Sequence, residues 1–276
     1  MLSIIDARTG EPVVAASVRR GPTRVEAYAR GYDATSLRVL LVADLLVRAL
    51  EMGGTPAWAL LSGGTSGRAE LRAGAAALGM HPFEDGRDAT AATAVAQVLH
   101  VVGADGPATD GVRVAVAPAE GAVPHWRAVP DWRATADARG EPAAGAPVSD
   151  LAPAPDLAPA RDLEPAVLRL ALLAVERTEP LRLDTAALDA ARDTLARWRR
   201  AVAGWARRPS RPVPDEVRAR LRAAWENDLN VPEVLRVLRW TEDAGPELAD
   251  GARFETYAYA DRLLGLELTR DVGAPA

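Results

Sequence analysis

Residues 36–52, SLRVLLVADLLVRALEM, constrain the fold of this chain more than any other stretch. Leu37, Val39, Leu40, Leu41, Val42, Leu45, Leu46, Val47 and Leu50 leave only a thin polar strip along Asp44, Arg48 and Glu51. A surface helix carries one apolar stripe, whereas this one is apolar on nearly every side and must be buried almost all round. Ser36 reads as its N-cap, Gly53-Gly54 as its stop, and Asp44 with Arg48 as an i,i+4 pair.

The flanking pattern alternates short β-type runs with helices. Residues 13–18 read as a strand ended by Arg19-Arg20 and Gly21-Pro22, after which a turn and a loop lead into the apolar helix. Residues 56–61 read as a second buried strand, 68–78 as a helix closed by Gly79, 90–102 as a further helix, and 112–118, VRVAVAP, as a third strand. That order predicts a parallel, right-handed α/β layer. Periodicity disappears over 119–165, where DLAPAP, DLAPAR and DLEPAV form an Ala/Pro-rich near-repeat of linker composition. Beyond it, residues 166–177, 185–206, 214–227, 231–243 and 252–264 all read as helices, with Pro165, Pro214 and Pro232 at starts and Gly245 and Gly265 near ends. The expected organisation is an α/β domain over 1–149, a linker over 150–165 and an all-α helical bundle over 166–276.

Composition then excludes several chemistries. The chain has no cysteine, so disulfides, thiolate nucleophiles and Cys-based zinc sites are ruled out. His81, His100 and His125 are its three histidines, and all 33 basic residues are Arg, there being no lysine. The net charge of −5 argues against a surface built for DNA while permitting a local basic patch. The N-terminus MLSIIDARTGE lacks a secretory apolar run, and no stretch approaches the ~20 apolar residues of a bilayer span, so a cytoplasmic protein without a membrane partner is expected.

Four segments of the second half, EPAVLRLALLAVER at 164–177, LDAARDTLARWRRAV at 188–202, AWENDLNVPEVLRVL at 224–238 and ADRLLGLEL at 260–268, resemble in order the C-terminal helical domain of cysteinyl-tRNA synthetases and of the mycothiol-pathway cysteine ligase. The acidic-Asp-Leu-Asn-small-Pro phrase in the third is the most specific. GEP at 10–12, GPT at 21–23, DLLVRALEMGG at 44–54 and AALGMHPFEDGRDAT at 76–90 resemble the family's first half in register, leaving a gap over roughly 102–165. The resemblance implies a truncated class I synthetase-type, Rossmann-like α/β domain followed by the helical bundle.

The departures from the family decide the functional expectation. Arg20 stands where the family has its first zinc-binding cysteine. Depending on alignment, the His-Ile-Gly-His signature falls on Asp33-Ala34-Thr35-Ser36 or, if Tyr32-Asp33-Ala34-Thr35 matches the mycothiol ligase's own Tyr-Asp-Ala-Thr, on Ser36-Leu37-Arg38-Val39; neither supplies a His. The Lys-Met-Ser-Lys-Ser loop falls on residues 142–146, PAAGA, without a cation. His125 faintly resembles part of the family's Pro-His-His segment, and one His without cysteines is no metal site. Class I activation depends on stabilising charge that develops on the transferring phosphate, so losing both signatures removes most of the acceleration. The sequence therefore reads as a degenerate paralogue, a non-catalytic binding or regulatory protein with no assigned catalytic residue; an ATP-dependent aminoacyl-tRNA or amino-acid ligase with a remodelled site is the alternative. No zinc or other cofactor is expected beyond weak ATP/Mg binding.

Gly21, Thr23, Asp33, Thr35 and Ser36 form a candidate vestigial nucleotide pocket. Each has a plainer reading: Ser36 as a helix cap and Asp33 as turn chemistry rather than a ribose or amino-group ligand. GGTSG at 63–67 matches no P-loop spacing and reads as a left-handed connection, His81 as a turn residue and His100 as a satisfied helix residue. Arg197, Arg199, Arg200, Arg207, Arg208 and Arg211, interleaved with Trp198 and Trp205, form the concentrated basic segment, with Arg197, Arg200, Arg207, Arg208 and Arg211 as the candidate contacts. It reads equally as a tRNA contact through phosphate pairing and base stacking, or as a solvated helix face with inward Trp residues that leaves an unknown protein as the partner.

Overall fold

The computed structural model describes residues 1–15, 21–85, 97–104, 106–107, 110–124, 126 and 163–274. Strands β1 (Ser3–Ile5) and β2 (Pro12–Val14) form an antiparallel ribbon. Strand β3 (Thr23–Ala29), helix α1 (Ala34–Met52), strand β4 (Ala57–Gly63), helix α2 (Arg68–Ala77) and strands β5 (Phe83–Asp85), β6 (Gln97–Val102) and β7 (Val112–Ala115) build the α/β part. Its five strands are all parallel in the order β5-β4-β3-β6-β7. The chain runs outward from β3 to β5, then crosses to β6 and continues to β7. The sheet is therefore Rossmann-like, with its topological switch point between β3 and β6.

Two expectations fail in this region, both on strands. Residues 97–102, QVLHVV, are β6 and not the end of a helix; residues 90–96 lie outside the described residues. A strand buried in a parallel sheet is a continuous apolar run, which periodicity alone does not separate from a buried helix segment, and here Val98, Val101 and Val102 favour the extended form. Strand β3, TRVEAYA, stands where the sequence predicts a loop. Its buried members, Val25, Ala27 and Ala29, alternate with half-buried Arg24, Glu26 and Tyr28, so its apolar face is small-sided and its pattern weak. The expected strand over 13–18 survives only as β2, which pairs with β1 and not with the main sheet; residues 16–18 lie outside the described residues.

Helix α1 packs against β3, β4 and β6 on one side and against α2, α7 and strand β8 (Ala119–Glu120) on others. This layered position is why fifteen of its nineteen residues are buried, Arg38 and Asp44 among them. Helices α3 (Pro165–Leu173), α4 (Thr185–Trp205), α5 (Asp215–Glu226), α6 (Val231–Asp243) and α7 (Asp250–Leu264) follow, with strand β9 (Leu181–Arg182) between α3 and α4. Pro165 and Pro232 stand at the first turns of α3 and α6, and Gly265 closes α7 with a left-handed φ of 60°. Among the described residues no helix is long and apolar enough to cross a membrane.

The C-terminal helices are stitched to the α/β part at several points. Strand β8 pairs in parallel with β9. The Asp228 N–H donates to the Ser3 carbonyl at 2.9 Å, and the Asp228 carboxylate accepts from the Ile5 N–H at 2.9 Å and from Arg177. At the centre, fully buried Asp44 accepts from Arg48 Nε at 2.9 Å, Arg169 of α3 at 2.7 Å, and the His81 N–H at 2.9 Å, with His81 Nδ1 2.7 Å away. Burial alone would raise the Asp44 pKa, but the His81 hydrogen bond and the two guanidinium charges outweigh it and hold the carboxyl well below its usual range. Arg169 also donates to the carbonyls of Leu264 and Leu78, so one buried guanidinium ties α1, α2, α3 and α7 together.

Candidate functional site

At the carboxyl ends of β3 and β6 lies a crevice of about 330 Å³, lined by Tyr28, Arg30, Asp33, Thr35, Ser36, Val39, Gly103, Ala104, Gly106 and Pro118. Parallel α/β sheets take their ligands at this place, because adjacent chain connections leave in opposite directions and open a gap between them. Its walls come from the turn between β3 and α1, the first turn of α1, the start of the β6–β7 connection and the residue before β8.

The first turn of α1 departs from expectation in one respect. The N-cap is Asp33, not Ser36: Asp33 has extended backbone and its Oδ1 accepts the Ser36 N–H at 2.6 Å, while its carbonyl accepts from the Leu37 N–H at 3.0 Å. Ser36 is thus the third helical residue, 5% exposed. The helix starts earlier than a Ser cap implies because Asp is an equally good cap and the following Ala34 and Thr35 already pack inward. Thr35 Oγ1 donates to the Ala119 carbonyl at 3.1 Å and accepts from the Ala119 N–H at 3.0 Å. Its hydroxyl fastens α1 to β8.

Asp33, Thr35 and Ser36 therefore line one crevice, but Gly21 and Thr23 do not. They stand at the opposite end of β3, whose seven residues span roughly 20 Å at 3.3 Å each. Thr23 starts that strand, its N–H donating to the Pro56 carbonyl at 2.9 Å. Once residues 23–29 are a strand, the turn that faces the crevice is the one after Ala29, at Arg30 to Tyr32. Tyr28, Arg30, Gly103, Ala104 and Gly106 also line it; they sit where β3 and β6 end, so only recognition of those two strands brings them to the site.

The remaining singled-out residues serve packing. Gly63 and Gly64 let the β4–α2 turn run against the β3–α1 turn: a Cβ there would lie 2.1 Å from the Ala29 carbonyl oxygen and 2.3 Å from that of Arg30. The Tyr32 hydroxyl donates to the Pro124 carbonyl, and burial, with Glu70 nearby, pushes its pKa up to about 12. His100 Nδ1 lies 3.4 Å from Glu26, which also accepts from Ser62 Oγ at 2.5 Å. The serine thus bonds a carboxylate and not the imidazole, so this cluster on β3, β4 and β6 lacks the serine–histidine pairing of a nucleophilic site. Burial lowers the His100 pKa. Arg38 is 1% exposed and among the described residues donates only to carbonyls, those of Ala117, Val175, Glu176 and Glu179, and burial brings its pKa down to about 10. His125 and the 142–146 segment lie outside the described residues.

Arg197 and Arg200 on α4 and Arg207, Arg208 and Arg211 in the segment after it are all exposed; Arg197 pairs with Glu242 at 2.9 Å and Arg208 lies 3.8 Å from Asp250. Trp198 is fully buried, its Nε1–H donating to Glu242 at 3.0 Å, and Trp198 and Trp205 both meet Tyr257 edge-on. The segment turns its indoles inward and most of its guanidinium groups outward; Arg199 is the exception, buried and donating to the Leu266 and Glu267 carbonyls and to Glu164. Among the described residues no three His, Asp or Glu side chains converge as a metal cluster.

Fold and crevice together define a parallel, Rossmann-like α/β protein with additional C-terminal helices. No protein-family model matches the chain, and no curated protein matches it.

Proposed function

We propose that the chain is a non-catalytic binding or regulatory relative of the class I cysteine-activating enzymes, its α/β part a remnant of their nucleotide-binding domain and its C-terminal helices the counterpart of their helical bundle. The observation that carries this reading is the charge of the crevice. Among the described residues that line it, Arg30 is the one cation and Asp33 the one anion, so their formal charges cancel. Phosphoryl and adenylyl transfer need several cations or N–H donors aimed at the developing negative charge. A neutral wall with neither His nor Lys offers little of that stabilisation. Arg38, which one of the two alignments sets on the glycine of the His-Ile-Gly-His signature, spends its guanidinium on backbone carbonyls.

ATP–pyrophosphate exchange over the set of amino acids, with heat-killed protein as control, tests the reading. Exchange at background supports it. Exchange clearly above the control overturns it in favour of an ATP-dependent ligase with a rebuilt site. The cytoplasmic setting, the absence of zinc, and a tRNA or protein partner on the α4 side belong to the same proposal.

A further inference from the structure

We propose that the slot between α1, α3 and the start of α6 holds a small monovalent anion of chloride size, bound by Arg38 and Arg177. The proposal is independent of what the crevice between β3 and β6 takes. Arg38 lies in α1 and Arg177 in the segment after α3, and both line a cavity of about 20 Å³. The wall is otherwise apolar, with Leu41, Val42 and Leu45 of α1, Leu172 and Leu173 of α3, and Val231 of α6 among its members.

Two buried cations therefore share one apolar space, and the described carboxylates balance them unevenly. Arg177 is 7% exposed; it pairs with Asp228 and donates to the Ala115 carbonyl, while its Nε stays buried without a hydrogen-bond partner. Arg38 has no carboxylate partner among the described residues: its terminal nitrogens donate to the carbonyls of Ala117, Val175, Glu176 and Glu179. Val175 and Glu176 follow the C-terminal end of α3, where the helix dipole supplies roughly half a negative charge. The hydrogen bonds of Arg38 are thus satisfied and its charge only partly offset, which is costly in an apolar surrounding. An anion in the slot would meet both the residual charge of Arg38 and the free donor of Arg177.

Size and polarity narrow the class. A space of this volume takes about one water-sized body, which excludes phosphate, sulfate and organic carboxylates. Apolar walls cannot replace the hydration shell of fluoride, and stripping the weaker shells of chloride and bromide costs less. A water molecule would satisfy Arg177 Nε and leave the Arg38 charge as it is; it is the alternative that the experiment separates.

Crystals of the full chain grown in sodium bromide should show an anomalous bromine peak in the slot, beside Arg38 and Arg177. In solution, thermal unfolding at constant ionic strength, with sodium gluconate exchanged for sodium bromide, should give a Tm that rises by roughly 2–5 °C for each tenfold increase in bromide beyond half-saturation. Fluoride should act as gluconate does. Arg177→Lys keeps a cation opposite Asp228 but removes the Nε donor, and should weaken bromide binding at least about tenfold. Val42→Ile occupies the space without touching a charge, and should abolish the bromide dependence. A slot filled by water alone in the bromide crystal, a Tm that does not separate bromide from gluconate, or a bromide dependence that persists in both variants would each overturn the proposal.

Discussion

Replacing Asp44 by Asn should be among the most destabilising single changes in this protein. Asp44 and Arg169 are both fully buried, and Asp44 is the carboxylate that faces the Arg169 guanidinium, at 2.7 Å. Removing one member of a buried pair leaves the other charge without compensation in a medium that solvates it badly, which costs about 3–5 kcal/mol. That is a large part of the ~5–15 kcal/mol by which domains are stable, and it corresponds to a fall in Tm of roughly 6–20 °C. Guanidinium unfolding followed by tryptophan fluorescence reads the change. The double variant Asp44→Leu with Arg169→Met removes both charges and should lie closer to the parent than either single change, giving a coupling energy of about 2 kcal/mol or more.

The same pair fixes the sign of a pH dependence. The folded pKa of Asp44 lies below its unfolded value of about 3.9, so protonation favours the unfolded chain. Its contribution is complete above about pH 4 and fades as the pH falls below that. The deficit of Asp44→Asn relative to the parent should therefore shrink as the pH falls below about 4. A loss under about 1 kcal/mol, a coupling energy near zero, or a deficit that grows as the pH falls below about 4 would refute the assignment of this pair as a mutually compensating buried pair.

Three further outcomes are expected. Asp33→Ala should cost about 1 kcal/mol of thermal stability through loss of the cap, and Ser36→Gly about 0.5–1 kcal/mol through helix propensity instead, so equal insensitivity of both would dismiss the cap assignment. Elemental analysis after gel filtration should find no stoichiometric zinc; one zinc per chain retained against a mild chelator would mean that carboxylates and His have formed a site of another kind. If the α4 side binds tRNA, Arg207→Ala with Arg208→Ala should lower the salt slope of log K by about 2. Unchanged tRNA binding in that variant, or none in the parent at low salt, would leave the segment as a solvated face and favour a protein partner.

The parts of the fold legible in the sequence were those whose signal is local. Helix α6 could be read to its ends because Pro232 and Asn230 mark its start and its apolar positions recur at helical spacing. Helix α1 declared its burial through composition. Strand β3 did not, because Ala27 and Ala29 give its buried face too little apolar contrast, and that omission moved Gly21 and Thr23 into a pocket they do not line. Within the crevice, the α1 side was visible as a capping pattern, whereas Gly103, Ala104 and Gly106 carry meaning only through the pairing of β6 with β3. The buried hub was half visible: Asp44 and Arg48 are four residues apart, but Arg169 lies 125 positions from Asp44, and nothing local to a helix start marks an arginine for burial.

The segment that carries the strongest family resemblance, Glu226 to Pro232, has a physical role independent of any reaction. Asp228 and Leu229 both stand at φ 54°, a region L residues with side chains rarely occupy, at a cost of about 1–3 kcal/mol each. The strain is held in place by surrounding bonds: Asp228 receives Ile5 and Arg177 on its carboxylate and donates its N–H to Ser3, Leu229 is buried, and the Asn230 side chain caps α6 by accepting the Glu233 N–H at 3.0 Å. This phrase locks the first strand of the chain to the start of α6, and substituting it would loosen both. A residue that acts on substrate has no comparable packing role, so its replacement leaves the fold intact. Under the reading proposed above, a chain released from catalysis but still required to fold would keep Asp228, Leu229 and Asn230, because their bonds hold the packing of β1 against the start of α6.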